Sequence, residues 1–308
     1  MEYGHLIRLN FIWCVISEYF SSRARGPRIG AAGFLACITL VLPQLAYSQE
    51  VPNLQTGTGA LEELSFGASV RPAVFDAAPY IEVGSSFDQL TNNYANWSSQ
   101  YLNLSLPLHE NGLVNIQAQN VQRFSMVDQE LDVTYAYPLK YGVINIEGGY
   151  SANPNFLPQT SVGLGWNGRL PQNFGYIIAA NQKQYSQSYS NASTNLYNLG
   201  LEKYWGQFRF AYVGMISSIN RDQGSFASKV QAQWIGETNN RLGVTYAQGM
   251  EPTVVALNNL SSIQFQYIQL DGLYWITKTI GITSAVWHGK EGSYYQRNGG
   301  QLGLRVSF

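Results

Sequence analysis

Side chains able to do acid–base or nucleophilic chemistry are sparse in this chain. The 308 residues include 3 His, 18 Lys+Arg and 19 Asp+Glu, so charged residues make up 12%, where a soluble domain typically carries roughly 25%. His109 stands beside Glu110 between Pro107 and Gly112, a context that reads as a short solvated turn. His288, followed by Lys290 and Glu291, is the residue around which a hydrolase acting on lipid or surface glycan can be drawn, with a Ser and a carboxylate from neighbouring loops. No spacing fixes such a triad, so a loop histidine is the plainer reading. Walker, zinc and calcium-loop spacings do not occur. Gly163-Leu164-Gly165 lacks the strand-to-helix context of a dinucleotide site and reads as inward glycines that let a strand bend. The residues therefore nominate no catalytic, cofactor-binding or metal-ligating position, and the expected cofactor is none.

The second group with chemical meaning is a set of charges that alternate with apolar residues. Glu82, Asp88, Glu130, Asp132 and Glu147 occupy the polar phase early in the chain. Glu202, Arg209, Lys229, Arg241 and Arg305 occupy it later. If the polar phase faces a lumen, the wall is acidic on one side and basic on the other, as at the constriction of diffusion channels. The competing reading has these charges pairing across the lumen and filling it.

The elements that must hold these charges are strands. From Tyr80 onward, apolar and polar residues alternate in segments of about ten, the signature of a barrel whose lipid-facing row alternates with a lumen-facing row. Segments begin near Tyr80, Trp97, Gly112, Glu130, Tyr141, Thr160, Phe174, Asn195, Gln207, Ser225, Arg241, Ser261, Thr279 and Gln301. The expected fold is an all-β, transmembrane, antiparallel up-and-down barrel of about fourteen strands, or about twelve if two weak segments merge. Leu102, Leu104, Leu106 and Leu108 share one face against Asn103 and Ser105. Leu131, Val133, Tyr135, Tyr137 and Leu139 oppose Glu130, Asp132 and Thr134.

Connections alternate as well. Short ones are expected at 107–112, 138–142, 167–173, 205–206, 236–240 and around Lys278. Long polar ones are expected at 151–158, 181–194, 248–261 and 289–300. Short periplasmic turns and long extracellular loops are the asymmetry of an outer-membrane barrel, with both termini periplasmic. Tyr137, Tyr141, Trp166, Phe174, Tyr204, Trp205, Tyr274 and Trp275 fall near the short turns. Trp97, Tyr185, Trp287 and Tyr294 fall near the long loops, giving two interfacial belts. With Trp205-Gly206 as a tight turn, Leu201 pairs with Phe210 and Glu202 stands opposite Arg209. The stretch Ser261–Trp275 changes phase near Tyr267, which a bulge or a strand continuing beyond the membrane would explain.

Upstream, Arg23, Arg25 and Arg28 precede the apolar run Ile29–Leu42, and Ala46-Tyr47-Ser48 offers small residues at a cleavage site. The run is too short for the ~20 residues of a spanning helix. Residues 1–48 are thus a leader with a signal peptide at 23–48, cleaved before Gln49. Residues 49–78 form a periplasmic N-terminal segment, and 79–308 the barrel. Cys14 and Cys37 both lie in the leader. The near-neutral balance, with Arg8, Arg23, Arg25 and Arg28 all in the leader, excludes a nucleic-acid footprint.

The last residues, Gln301-Leu302-Gly303-Leu304-Arg305-Val306-Ser307-Phe308, alternate to the end. Gln301, Gly303, Val306 and terminal Phe308 resemble the C-terminal signal of bacterial outer-membrane barrels, which implies the barrel-assembly machinery as a partner. The order of features is also similar to the YaiO-type outer-membrane β-barrel family. The resemblance rests on 199–210 (LGLEKYWGQFRF), on the Gln264–Trp275 strand, and on Val286-Trp287-His288 before Asn298-Gly299-Gly300-Gln301-Leu302. It covers roughly 79–308 and implies a barrel in the cell outer membrane of a Gram-negative bacterium, in contact with its lipids. It carries over no site residue. Three functions stay open: a passive, porin-like channel or export conduit for small polar or carbohydrate material, an outer-membrane enzyme centred on His288, or a structural or adhesive barrel. Tyr185, Tyr189, Tyr294 and Tyr295 in the loops are consistent with the conduit reading, and surface polysaccharide is a further candidate partner.

Overall fold

The computed structural model describes residues 78–308 apart from 109–111, 221–223, 237–238 and 257–258. The leader, all but the last residue of the 49–78 segment, and the turn holding His109 lie outside the described residues. Strands form where side chains alternate with period two. They are β1 (Tyr80–Leu90), β2 (Trp97–Pro107), β3 (Leu113–Arg123), β4 (Met126–Leu139), β5 (Gly142–Ser151), β6 (Thr160–Leu170) and β7 (Phe174–Gln184). The second half adds β8 (Ser193–Trp205), β9 (Phe208–Ile219), β10 (Ser225–Ile235), β11 (Arg241–Ala256), β12 (Asn259–Trp275), β13 (Ile280–Glu291) and β14 (Tyr295–Ser307). Each pairs antiparallel with its sequence neighbours, and β1 closes on β14. Closure pairs the strand edges with one another, as a hydrocarbon surround demands.

The outer row is apolar and bare. On β8 it presents Tyr197, Leu199 and Leu201, with Leu199 67% exposed. On the same strand the inward Glu202 is buried. One residue of slippage would turn that carboxylate outward, and an Arg turned outward costs ~2–4 kcal/mol at mid-membrane depth. The two-faced pattern thus fixes register throughout the wall.

Several local expectations need correction. The β8–β9 turn is Gly206-Gln207, so Leu201 pairs with Tyr212 and Tyr204 with Arg209. The glycine at φ +57° suits the first central position of a tight hairpin. Both strands keep their faces because the shift is an even number of residues.

β12 holds one phase throughout, with Ile263, Phe265, Tyr267 and Leu273 all buried inward. Its outward residues change from Gln264 and Gln266 to Ile268 and Leu270, so the apparent phase change marks the edge of the apolar band. The ladder irregularity lies on β11, between Val254 and Ala256.

The loops expected at 248–261 and 289–300 are mostly strand, as are the outer parts of 181–194. Polar residues there reflect ladder continuing beyond lipid, where water wets the outer face. For the same reason β14 begins at Tyr295 rather than Gln301, and β4 at Met126 rather than Glu130.

Of the two aromatic belts, the one near the chain termini stands in part, since Tyr204 and Trp275 take the inward phase and Tyr204 Oη donates to the inward Glu202. Tyr137, Tyr141, Trp166, Phe174, Trp205 and Tyr274 are exposed on the outer face. Trp97, Tyr185 and Trp287 instead occupy the inward phase and pack inside the far mouth.

Candidate functional site

The enclosed face carries the polar chemistry. Glu82, Asp88, Glu202, Arg209 and Lys229 are buried on it. Glu130, Asp132, Glu147 and Arg305 share its phase and are half-buried. Arg241, the first residue of β11, has the inward phase but stands exposed at the rim. An acidic side facing a basic side is not what closure produces, because the first strand lies beside the last. Glu82 Oε2 accepts from Arg305 Nε at 2.6 Å, and Oε1 accepts from Tyr101 Oη at 2.7 Å and Thr283 Oγ1 at 3.0 Å. Asp88 contacts Arg297 Nε at 3.1 Å and accepts from Trp287 Nε1 at 2.5 Å. Glu202 accepts from Arg209 Nε at 2.8 Å. These acids and bases neutralise each other along the wall.

A common geometry recurs among the inward carboxylates. Each of Glu82, Asp88, Asp132, Glu147, Glu202 and Asp271 lies against a glycine of a neighbouring strand, at Gly303, Gly299, Gly149, Gly163, Gly175 and Gly243 respectively. A Cβ at Gly163 would stand 3.1 Å from Glu147 Oε2 and 3.0 Å from Asn181 Nδ2. At Gly149 it would collide with Asp132 Oδ1 and Ser161 Oγ. The missing side chain gives the carboxylate room to fold flat against the backbone instead of standing into the lumen. Gly163 therefore serves as a seat for Glu147 and Asn181, whereas a Cβ at Gly165 would make only ordinary contacts with Ala179 and Asn145.

The wall is unequal around its circumference. From β2 to β8 the inner face bears Asn103, Asn115, Gln117, Asp132, Glu147, Ser161, Asn181 and Lys183, all half-buried. From β9 to β12 the inward Arg209, Lys229, Thr245 and Asp271 flank an apolar patch, in which Val213, Met215, Ala227, Ala247, Phe265 and Tyr267 form one buried cluster with Trp287 of β13 packed against it. Between the two sectors, Lys183, Lys229, Glu251, Leu196 and Met215 help line a cavity of about 60 Å³.

Packed side chains cross the far mouth. Phe156 and Leu157 of the β5–β6 connection, with Tyr185, Tyr189 and Ala192 of the β7–β8 connection, pack with Val121 of β3 and Val254 of β11. Beside them Arg123 lies over the rings of Trp97 and Phe156 at 5.0 and 5.4 Å, and Arg297 lies over Trp97 at 5.4 Å. Tyr295 Oη donates to the buried Glu291 at 2.6 Å. Tyr185, Tyr189 and Tyr295 are thus inside the mouth rather than displayed, and Tyr294 alone of the four loop tyrosines is exposed.

His288 faces outward at the outer end of β13, its Nδ1 2.7 Å from Asn298 Oδ1. Gln301 and Gly303 of the C-terminal strand face inward, where Gln301 Nε2 donates to Tyr101 Oη at 2.9 Å. Phe308 is outward and exposed.

Sequence patterning does not single out Asp128, Arg123, Arg297, Tyr101 or Asp271, and it places Glu291 only as a loop neighbour of His288. Asp128 shares a phase with Glu130 and Asp132 and was lost because β4 was started too late. Arg297 was lost the same way on β14.

Residues 79–253 match the profile of the YaiO membrane beta barrel domain. Comparison with curated protein sequences gives no match. Among solved structures, the outer-membrane protein OmpT of Vibrio cholerae in its trimer form is similar at 9% identity and TM-score 0.42, over 75% of this chain and 98% of that one. An anion-selective porin from Comamonas acidovorans gives 8%, 0.42, 75% and 98% for the same measures. Omp33 of Acinetobacter baumannii gives 11%, 0.44, 75% and 99%. Similarity this low assigns no activity.

Proposed function

The chain belongs to the YaiO membrane β-barrel family of the outer membrane, and from that premise we propose that it is a conduit for small polar or carbohydrate material, closed in the state described. The observation that carries this reading is the seating of inward carboxylates on glycines of adjacent strands. Here Asp132 and Glu147 fold against the wall of the polar sector, and the half-buried amides of Asn103, Gln117 and Asn181 border the same space. Hydroxyl-rich solutes exchange hydrogen bonds well with such a lining, because amides and carboxylates offer both donors and acceptors.

The enzyme reading has less support, since His288 sits on the outer face of β13 with its Nδ1 2.7 Å from the Asn298 amide oxygen. Of the tyrosines expected to serve the conduit from exposed loops, Tyr185, Tyr189 and Tyr295 are buried in the mouth instead.

Planar-bilayer recording of the purified chain tests the proposal. The intact protein is expected to be largely silent, with conductance appearing once the mouth is loosened. Absence of conductance from a folded barrel with an opened mouth would refute it.

A further inference from the structure

Asp128 lies on the inward phase of β4 near its outer end and is 2% exposed. Its carboxylate gathers several N–H groups of one loop. It accepts the backbone N–H of Asn155 at 2.8 and 3.0 Å, of Phe156 at 2.8 Å and of Leu157 at 2.9 Å, and also Asn155 Nδ2 at 2.8 Å. Successive amides of one loop thus converge on a single anion, an arrangement in which each bond is charge-assisted. The loop's backbone joins the wall ladder at its base, where Ser151 N–H donates to Gln159 O and Gln159 N–H to Gln184 O.

The captured segment is also the one that crosses the mouth. Phe156 and Leu157 are 4% and 2% exposed, packed in the cluster that reaches from Val121 on β3 to Val254 on β11. Tyr189 Oη donates to the Asn155 carbonyl at 2.7 Å, tying the β7–β8 connection to the same point.

We propose that residues 152–159 form a gate over the outer mouth, with Asp128 as its catch. The inference deepens the conduit reading and rests on it: a catch has a purpose only if something passes when it releases. Asn155 Nδ2 also donates to Val127 O on β4 at 3.4 Å. The backbone N–H groups of Asn155, Phe156 and Leu157, however, all converge on Asp128, so loss of the carboxylate releases these three together. The tip then swings on its base while the strands below stay paired.

The test uses the full chain in lipid nanodiscs and compares the natural protein with Asp128→Ala and the near-isosteric Asp128→Asn. Hydrogen–deuterium exchange is read in peptides covering 152–159 and in peptides from β1 and β8, and each protein is also recorded in planar bilayers. Exchange in 152–159 is expected to rise by on the order of tenfold or more, since even one lost charge-assisted bond corresponds to about that factor. The β1 and β8 peptides are expected not to change, and channel openings are expected to appear. Unchanged exchange in 152–159 in the folded variants overturns the catch. Exchange that rises equally in β1 and β8 in both variants also overturns it, because Asp128 then holds the barrel rather than the loop. Raised loop exchange with a silent bilayer leaves the catch standing and overturns the conduit.

Discussion

Glu82 and Arg305 are 223 positions apart in sequence, yet Arg305 Nε donates to Glu82 Oε2 at 2.6 Å. They are direct cross-strand partners on the seam where β1 meets β14. Tyr101 reaches the same carboxylate from β2, crossing over Gly84. The facing glycines Gly84 and Gly303 leave room for its ring, which a Cβ at either would strike. The last link of the closed ladder is therefore marked by a polar lock that fits one register.

Breaking that lock on one side should be costly, because the partner charge stays in the wall unpaired. Glu82→Gln or Arg305→Leu is expected to destabilise the barrel by about 3–5 kcal/mol, with the double variant costing less than the sum. Urea unfolding in detergent, followed by heat-modifiable gel migration, reads this. Equal stability of the single variants would show that the seam register is set by the ladder alone.

Seating of carboxylates on glycines predicts an effect on bore that differs from an effect on fold. Gly163→Leu puts a side chain where Glu147 and Asn181 now rest, so these groups must stand into the lumen. In a background opened at the mouth, the unitary conductance is expected to fall, roughly by half for a partial obstruction of a narrow pore. Unchanged conductance would mean the current does not pass the polar sector.

His288 offers the opposite expectation. It is exposed, its hydrogen-bond partner is Asn298 and its cross-strand neighbour on β12 is Ile268. His288→Ala should change stability by no more than about 0.5 kcal/mol and leave conductance untouched. A large loss of any hydrolysis measured on lipid or glycan would instead revive the enzyme reading.

Strand number, strand order and facing were legible in the sequence because alternation is a local signal that lipid enforces on every strand. Leu199, Leu201 and Glu202 declare their sides without knowledge of their partners. Contacts were less legible wherever they depend on closure. Glu82 and Arg305 were read as belonging to opposite charge zones, since nothing local says that the first strand touches the last. The outer mouth was misread for a different reason. Trp97, Tyr185 and Trp287 have the composition of a membrane belt, but their phase points them inward, and phase is hard to assign where strands run past the lipid. Asp128 escaped notice because its partners are backbone amides of a loop, which leave no side-chain signature.

The central claim is that one face of this alternating wall meets lipid while the polar sector of the other borders water. Spin labels at Leu199→Cys on β8 and Gln117→Cys on β3, in the mature chain reconstituted in bilayers, measure it directly through collisional relaxation. The label at 199 should respond strongly to oxygen, which concentrates in hydrocarbon, and hardly to a water-soluble nickel chelate. The label at 117 should show the reverse. Nickel access at 199 with oxygen preference at 117 would contradict the whole account.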